Sequence, residues 1–253
     1  MTHENNNREH IYSTKARRHV FDSLWHGPEN VEAGYYTFGE YYRWNYLKHL
    51  PKDKDIEVLV VSCGPGYYVR MLNKNGYRNV LGIDADPEKV KHATRHGLNC
   101  IVARAFSFLN AHQNCYDLIV LEQDINHLSK DEMWECLELC RQALRPGGML
   151  TLYGLNAANP ITGSASNADD FDHHQRLTEF SMRQALEWTG YEGIRILPLN
   201  IYVFWKNPLN YLGLAVTSLF TLFFRLCFSV YGKRNRIFTK KIGAIAQKSR
   251  SPE

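Results

Sequence analysis

The feature that most constrains the fold of this chain is a glycine turn that interrupts an apolar run. Residues 58–72 read VLVVSCGPGYYVRML, so β-branched residues lead into Cys63-Gly64-Pro65-Gly66 and a helix-compatible stretch follows. Glycine lets the backbone of such a turn approach a ligand that a Cβ atom would exclude. The pattern therefore predicts a strand, a ligand-binding turn and a helix in succession.

A second short apolar run, residues 80–83, ends at Asp84, twenty residues after Gly64. A carboxylate at this spacing can accept hydrogen bonds from the ribose of a nucleotide-like cofactor. The turn and the carboxylate together predict an adenosyl-binding site. The third glycine of a dinucleotide-binding fingerprint would fall at Val69, which argues against a nicotinamide-dependent dehydrogenase.

Short apolar runs alternate with helix-compatible segments from residue 57 onward. Strands are predicted at residues 57–62, 80–83, 100–103, 116–121, 149–153, 195–205 and 242–247, and helices at residues 68–74, 87–96, 130–144 and 178–189. This alternation predicts an α/β fold, a doubly wound and mostly parallel Rossmann-like sheet. We divide the chain into an N-terminal extension with an aromatic cap, residues 1–50, and a main domain, residues 51–253.

With these motifs in place, the chain resembles the class I S-adenosylmethionine-dependent methyltransferases over about residues 57–247. The resemblance rests on LVVSCGPG at residues 59–66, GIDADP at 82–87, YDLIVLEQDINHLS at 116–129, LRPGG at 144–148 and DHHQRLTEFSMRQALEWTGY at 172–191. It implies a seven-stranded sheet with a final antiparallel strand and a helical insertion, residues 207–236, before that strand. It also implies that S-adenosyl-L-methionine is the cofactor.

The resemblance assigns cofactor binding to one group of residues at the strand ends: Ser62, Cys63, Gly64, Gly66, Asp84, Ala105 and Glu122. The chain departs from the family at Val60, where an acidic residue usually holds the methionine amino group, and at Ser62, where glycine is customary. Glu122 or a backbone carbonyl is the candidate replacement for the missing acid. A non-catalytic adenosyl-binding scaffold is the alternative that these departures leave open.

Transfer of a methyl group to a hydroxyl requires a base, and histidine suits this role because it titrates near neutral pH. His127 follows the fourth predicted strand, and His173 lies in the long polar loop of residues 154–177, so both fall at the ligand-binding edge. The alternatives are a packing role for His127 and a solvated loop around His173. Asn156 is a candidate substrate contact. Asp169, Asp170, Asp172, His173 and His174 could together hold a cation, but acidic loops are usually solvated and we predict no metal.

The segment 211–231, YLGLAVTSLFTLFFRLCFSVY, is long enough as a helix to cross a bilayer core. A narrow polar stripe recurs every four residues along it: Gly213, Thr217, Thr221, Arg225 and Ser229. In the family topology it separates two paired strands, so a single crossing would leave residues 242–247 on the wrong side. Two crossings need about 40 residues, more than the chain offers there. We expect the segment to lie in the membrane interface, with its own domain or a homodimer partner as the alternative.

The basic segment 233–241 follows directly, and residues 232–253 hold seven Lys or Arg against one Glu. Such a tail points to an anionic surface, either a membrane or a nucleic acid. The basic residues adjoin an apolar helix rather than aromatics that could stack on bases, so we expect a membrane partner and no nucleic acid.

The polar N-terminus, MTHENNNREH, and six scattered cysteines favour a cytoplasmic protein peripheral to the inner face of the membrane. We predict a methyltransferase that O-methylates a sugar hydroxyl of a small-molecule or lipid-linked glycan acceptor, as in polysaccharide biosynthesis. A lipophilic phenol or quinone precursor is the alternative acceptor.

Overall fold

The glycine turn joins a strand to a helix in the computed structural model of the chain, which describes residues 28–122, 125–169 and 173–250. Among these residues seven strands form one sheet in the order β3-β2-β1-β4-β5-β7-β6. The strands are β1 Glu57–Val61, β2 Asn79–Asp84, β3 Cys100–Val102, β4 Tyr116–Leu121, β5 Leu144–Leu155, β6 Tyr191–Leu199 and β7 Lys241–Lys248. β7 is antiparallel to both of its neighbours, β5 and β6, and the other strand pairs are parallel. The predicted doubly wound α/β fold is confirmed.

The parallel strands β1, β2, β4 and β5 end at the same side of the sheet, which we call the carboxyl edge. The strand order reverses between β1 and β4, and open α/β sheets bind their ligands at such a switch point. Lys241, the first residue of β7, pairs with the last residues of both β5 and β6, Leu155 and Leu199. The connection from β6 to β7 therefore leaves from the carboxyl edge and returns to it.

Helices connect the strands and cover both faces of the sheet. They are α1 Pro28–Tyr46, α2 Tyr67–Lys74, α3 Pro87–Arg95, α4 Ala105–Ala111, α5 Lys130–Ala143, α6 Gly163–Ala168, α7 Glu179–Trp188 and α8 Pro208–Val230. Two of these helices begin at residues suited to a helix start: Pro87 occupies the first turn of α3, and the side chain of Thr178 caps α7.

Alternate residues of β1 enter two cores on opposite faces. Val58 and Val60 pack with α1 and α2, and Leu59 and Val61 pack with α5 and α7. Helix α1 belongs to the first of these cores, since its Tyr35, Tyr42 and Tyr46 are buried there. The predicted aromatic cap thus packs on the main domain, while residues 1–27 of the extension lie outside the described residues.

The predicted bounds of β6, residues 195–205, were wrong at both ends. The left-handed Gly190 ends the turn after α7, and β6 begins at once at Tyr191. The strand stops at Leu199 because Asn200 donates its backbone N–H to Asn45 of α1 and its side chain accepts from the backbone of Tyr202. Strand β5 is longer than predicted, because the Arg145–Gly148 stretch continues the strand before Met149.

Helix α8 confirms that the apolar segment is helical and sets its orientation on the domain. The stripe residues Gly213, Thr217 and Thr221 are half-buried on the domain side, where a Cβ atom at Gly213 would lie 2.5 Å from the ring of Tyr202. Both threonine hydroxyls donate to carbonyls of the preceding turn. The apolar residues of the other side are exposed: Leu212, Val216, Leu219, Phe220, Phe223 and Val230.

Candidate active site

The turn between β1 and α2 has the tight geometry that its sequence predicts. The backbone N–H of Cys63 donates to the carbonyl of Ile83 in β2 at 2.9 Å, and that of Gly66 donates to the carbonyl of Cys63 at 2.8 Å. Gly64 and Gly66 have φ angles of +53° and +84°, in the left-handed region. The turn therefore presents its backbone at the carboxyl edge, directly above β1 and β2.

The two glycines serve different purposes. A Cβ atom at Gly64 would meet nothing within 4 Å, so this residue faces open space that a ligand can occupy. A Cβ atom at Gly66 would lie 2.6 Å from a methyl carbon of Leu98 and 3.2 Å from the Cβ of Ala93, and the φ angle of +84° also favours glycine there. Open space beside Gly64 is what an adenosyl group needs at this turn.

Ser62 explains why glycine is customary at its position. Its φ angle is +56°, a conformation that costs a residue with a Cβ atom about 1–2 kcal/mol. The chain tolerates this strain in the turn. The departure at Ser62 leaves the backbone path of the turn intact.

Asp84 is fixed beside the turn by two backbone hydrogen bonds. One carboxylate oxygen accepts from the N–H of Gly64 at 2.8 Å, and the other accepts from the N–H of Asp86 at 2.8 Å. The proximity of Gly64 and Asp84, on which the adenosyl prediction depends, is confirmed. The carboxylate keeps further lone pairs for a ribose, because each carboxylate oxygen can accept more than one hydrogen bond.

Glu122 lies where it could take over the function of the acid missing at Val60. Val60 pairs with Val120 in the parallel register, and Glu122 follows two residues later on the same face, nearer the carboxyl edge. Its carboxylate is buried and accepts a hydrogen bond from the Tyr42 hydroxyl of α1 at 3.0 Å. The assignment of Glu122 to the methionine end stays a prediction.

Burial raises the pKa of the Glu122 carboxyl well above its ordinary value; the Tyr42 hydrogen bond opposes this shift, and the charge of Asp84 adds to it. Burial thus disfavours the ionised carboxylate, and a cation beside the group would favour it. The methionine part of the cofactor carries positive charge, so its arrival would favour the ionised carboxylate. Glu122 and the cofactor would then stabilise each other's charge.

Ala105 and Ser62 meet in a small apolar cleft on the other side of the turn. Ala105 begins α4, and the cleft is lined by Val61, Ser62, Ala105, Phe106, Leu121, Ile125, Leu128 and Cys136. The cleft lies at the carboxyl ends of β1 and β4, where Val61 and Leu121 end their strands. The structure thus brings together Ala105 and the turn, as the sequence predicted.

The structure also brings together the two histidines. The rings of His127 and His173 have centroids 4.5 Å apart, although the residues are separated by the whole of α5 and β5. Nδ1 of His173 lies 2.9 Å from the carbonyl oxygen of Ser166. Because a carbonyl only accepts, Nδ1 carries the proton, and Nε2 of the neutral ring is the nitrogen that can accept one.

Asn126 holds this pair in place and was not found from the sequence. It is fully buried, its side-chain N–H donates to the Gln175 carbonyl at 2.6 Å, and its side-chain oxygen accepts from the N–H of Leu155 at 2.6 Å. Its own carbonyl accepts from the N–H of His174 at 2.7 Å. A lone amide in the turn after a buried strand was the available signal, because such a group must find partners.

Asn156 does not serve as a substrate contact. It is buried, its N–H groups donate to the carbonyls of Ile237 and Thr239, and its side-chain oxygen accepts from the N–H of Ala158. Its side-chain nitrogen fastens the segment before β7, and its side-chain oxygen holds the turn that follows β5. Asp170 and Asp172 of the acidic loop lie outside the described residues.

Replacing Asp84 by asparagine is expected to lower the affinity for S-adenosylmethionine tenfold or more. The amide would turn an N–H₂ group toward one of two backbone N–H donors, and hydrogen bonds to a charged group contribute about 1.5–3 kcal/mol. Isothermal titration of the purified protein measures the change. Asp86→Asn is the matched control, because asparagine caps a helix as well as aspartate does. Equal affinities of the Asp84→Asn variant and the wild type would contradict this role.

Comparison with known proteins agrees with this geometry. Residues 58–148 match the family model of a methyltransferase domain. No curated protein matches the sequence significantly.

Three solved structures share the fold at low sequence identity. An S-adenosylmethionine-dependent methyltransferase from Archaeoglobus fulgidus is 15% identical with a TM-score of 0.64, over 90% of this chain and 98% of the other. A possible histamine N-methyltransferase from Thermotoga maritima is 10% identical with a TM-score of 0.62, over 91% and 99%. Phosphoethanolamine N-methyltransferase 2 from Haemonchus contortus, in complex with S-adenosyl-L-methionine, is 13% identical with a TM-score of 0.62, over 94% and 61%.

Proposed function

We propose that this chain, an S-adenosylmethionine-dependent methyltransferase by its matched domain and its fold, methylates a sugar hydroxyl of a lipid-linked glycan at the cytoplasmic face of a membrane. The observation that carries the proposal is that two features share the carboxyl edge. The His127–His173 pair offers a base for a hydroxyl acceptor, and α8 offers an apolar surface for the lipid to which that acceptor is attached.

The histidine pair supports transfer to oxygen. Bound S-adenosylmethionine supplies a methyl group on a positively charged sulfur. The acceptor oxygen forms its new bond to the methyl carbon as the carbon–sulfur bond breaks, and the sulfur keeps that electron pair in S-adenosylhomocysteine. A hydroxyl loses its proton in this reaction, and a neutral imidazole within reach can take it. Nε2 of His173, or His127 beside it, is the proposed acceptor of that proton.

The exposed side of α8 supports association with a membrane surface. The helix is long and apolar enough to cross a membrane by length and composition, and none of its most apolar stretch is buried in the described chain. Leu219, Leu222 and Leu226 lie on one face at helical spacing, and each is about two-thirds exposed. An apolar face of this extent marks a membrane or a protein contact.

The topology supports a helix that lies in the interface rather than one that spans the bilayer. The connection that contains α8 leaves the carboxyl edge after Leu199 and returns to it at Lys241, which pairs with Leu199. Lys233, Arg234 and Arg236 follow the helix and are exposed, so they could contact anionic headgroups. Under this proposal, α8 would hold the carboxyl edge near the membrane that carries the substrate.

The polar loop 154–177 favours a sugar over a lipophilic phenol. Asn, Ser and Asp recur along it, and it carries His173 to the site beside the carbonyl of Ser166, so polar groups lie near the proposed base. Hydroxyl-rich acceptors need such hydrogen-bonding groups, whereas an apolar ring does not. The similar structures are named for other acceptors, histamine and phosphoethanolamine, so the shared fold leaves the acceptor to be chosen by loops of this kind.

The test is transfer of labelled methyl groups from S-adenosylmethionine to defined acceptors in vesicles. We expect turnover with lipid-linked oligosaccharide, a weaker reaction with the same glycan cleaved from its lipid, and base-resistant methyl ethers in the product. Faster turnover with lipophilic phenols than with glycans would contradict the glycan proposal and favour the alternative acceptor. Tight cofactor binding without turnover on either class of acceptor would instead indicate a scaffold.

A further inference from the structure

We propose that Glu32, His92 and His96 form a zinc site that fastens α1 to the end of α3. One ligating atom from each of the three side chains lies within 4.8 Å of the others. Nε2 of His96 lies 2.8 Å from a carboxylate oxygen of Glu32, across a separation of 64 residues. Two imidazoles and one carboxylate are a ligand set that zinc binds in proteins.

Helix geometry places the two imidazoles on one face of α3. His92 and His96 are four residues apart at the end of α3, so they project from the same face, and their rings are nearly parallel with an interplanar angle of 13°. Nδ1 of His92 is buried and has no hydrogen-bond partner within the described ranges. Zinc–nitrogen and zinc–oxygen bonds are about 2.0–2.2 Å long, so small rotations of these side chains would close the site. Three protein ligands leave the fourth position for water.

The site differs from the predicted active site in position and in partners. It joins the first turns of α1 to the helix that follows β2, on the side of the first core. Imidazole ligands favour zinc and similar transition metals over magnesium or calcium. The proposal therefore concerns a zinc ion that links two helices and makes no use of the acidic loop near His173.

A short series of contacts links the site to the cofactor turn. The ring of His96 packs on that of Tyr35 with centroids 4.4 Å apart, and the hydroxyl of Tyr35 donates to the carbonyl of Pro65 at 2.7 Å. Pro65 lies between Gly64 and Gly66 of the turn. Fixing Glu32 and His96 with a metal would hold Tyr35 on the turn, so zinc should strengthen cofactor binding. This coupling rests on the proposed cofactor role of the turn, whereas the metal site does not.

The test is isothermal titration of Zn²⁺ into untagged, chelator-treated protein, with Co²⁺ absorption as a reporter of coordination by nitrogen and oxygen. We expect one zinc per chain, and a loss of affinity of roughly tenfold or more in His92→Ala and in Glu32→Gln. Glu32 is 62% exposed, so Glu32→Gln tests the site with little risk to folding. His112→Ala is the matched control, because it removes an imidazole from the end of another helix.

Zinc affinity that is the same in the wild type and both variants would overturn the site, since any zinc would then bind elsewhere. The coupling is tested separately by titrating S-adenosylmethionine with and without zinc. Linkage requires that each ligand raise the affinity of the other by the same factor. Cofactor affinity that zinc leaves unchanged would overturn the coupling and leave the metal site standing.

Discussion

The variant His173→Ala is expected to lower the turnover number about a hundredfold or more, while the affinity for S-adenosylmethionine stays within about twofold of wild type. General-base catalysis contributes on the order of 10²–10⁴-fold to such reactions. The ring of His173 is oriented by the Ser166 carbonyl, and it lies over His127 rather than against the glycine turn. Steady-state rates with the lipid-linked acceptor and calorimetry with the cofactor measure the two quantities.

His127→Ala is expected to cause a loss of similar size if the two rings act as a unit. Residues that act together lose function non-additively, so the double variant should be little worse than the poorer single variant. His174→Ala is the matched control, because this neighbour is exposed in the same loop and is tied to Asn126 only through its backbone. Near-wild-type rates in both His127→Ala and His173→Ala would show that another group removes the proton.

The sequence located the sheet because buried parallel strands are short apolar runs between turn signals. It also placed Gly64 and Asp84 at one edge, since the carboxyl ends of adjacent parallel strands meet there, and the hydrogen bond between them confirms this. The end of β6 was misplaced because it depends on the tertiary contact between Asn200 and Asn45, which no local pattern encodes. Its start was misplaced although Gly190, which ends the preceding turn, is a local signal. Local signals thus fixed the order of the elements better than their ends.

The candidate site was predictable in its residues but not in its contacts. The topological rule put His127 and His173 at the same edge, yet their approach to 4.5 Å depends on how Asn126 fastens the returning loop. The spacing of His92 and His96 was readable as one helix face, whereas Glu32 comes from α1, distant in the chain. Long-range partners of this kind depend on the packed fold.

The burial of Val60 explains one departure from the family pattern. Val60 is fully buried among apolar side chains of the first core, where an unpaired carboxylate would be costly. Glu122, the predicted replacement, lies nearer the edge and accepts a hydrogen bond from Tyr42. Because Tyr42 belongs to α1, this helix orients the Glu122 carboxylate. The aromatic cap would thus contribute to the proposed recognition of the cofactor.

The triple variant Leu219→Gln, Leu222→Gln and Leu226→Gln is expected to weaken binding to vesicles about a thousandfold. Burying a leucine contributes about 1.5–3 kcal/mol, so even the lower figure for three side chains corresponds to about three powers of ten. The three residues are exposed, so the folded domain should keep its melting temperature and its cofactor affinity. Vesicle sedimentation measures the loss, and Val102→Gln with Ile161→Gln controls for exposed apolar residues elsewhere.

The contributions of the basic residues and of the apolar residues to vesicle binding can be measured separately. Replacing Lys233, Arg234 and Arg236 by glutamine should reduce binding to anionic vesicles about a hundredfold, because each basic residue near such a leaflet contributes about 1 kcal/mol. Binding to neutral vesicles should hardly change.

If the leucine variant keeps its vesicle binding but turns a dimer into a monomer, then α8 contacts a second subunit instead of lipid. Under the membrane proposal, the leucine variant should lose turnover on the lipid-linked acceptor and keep it on the glycan freed from lipid.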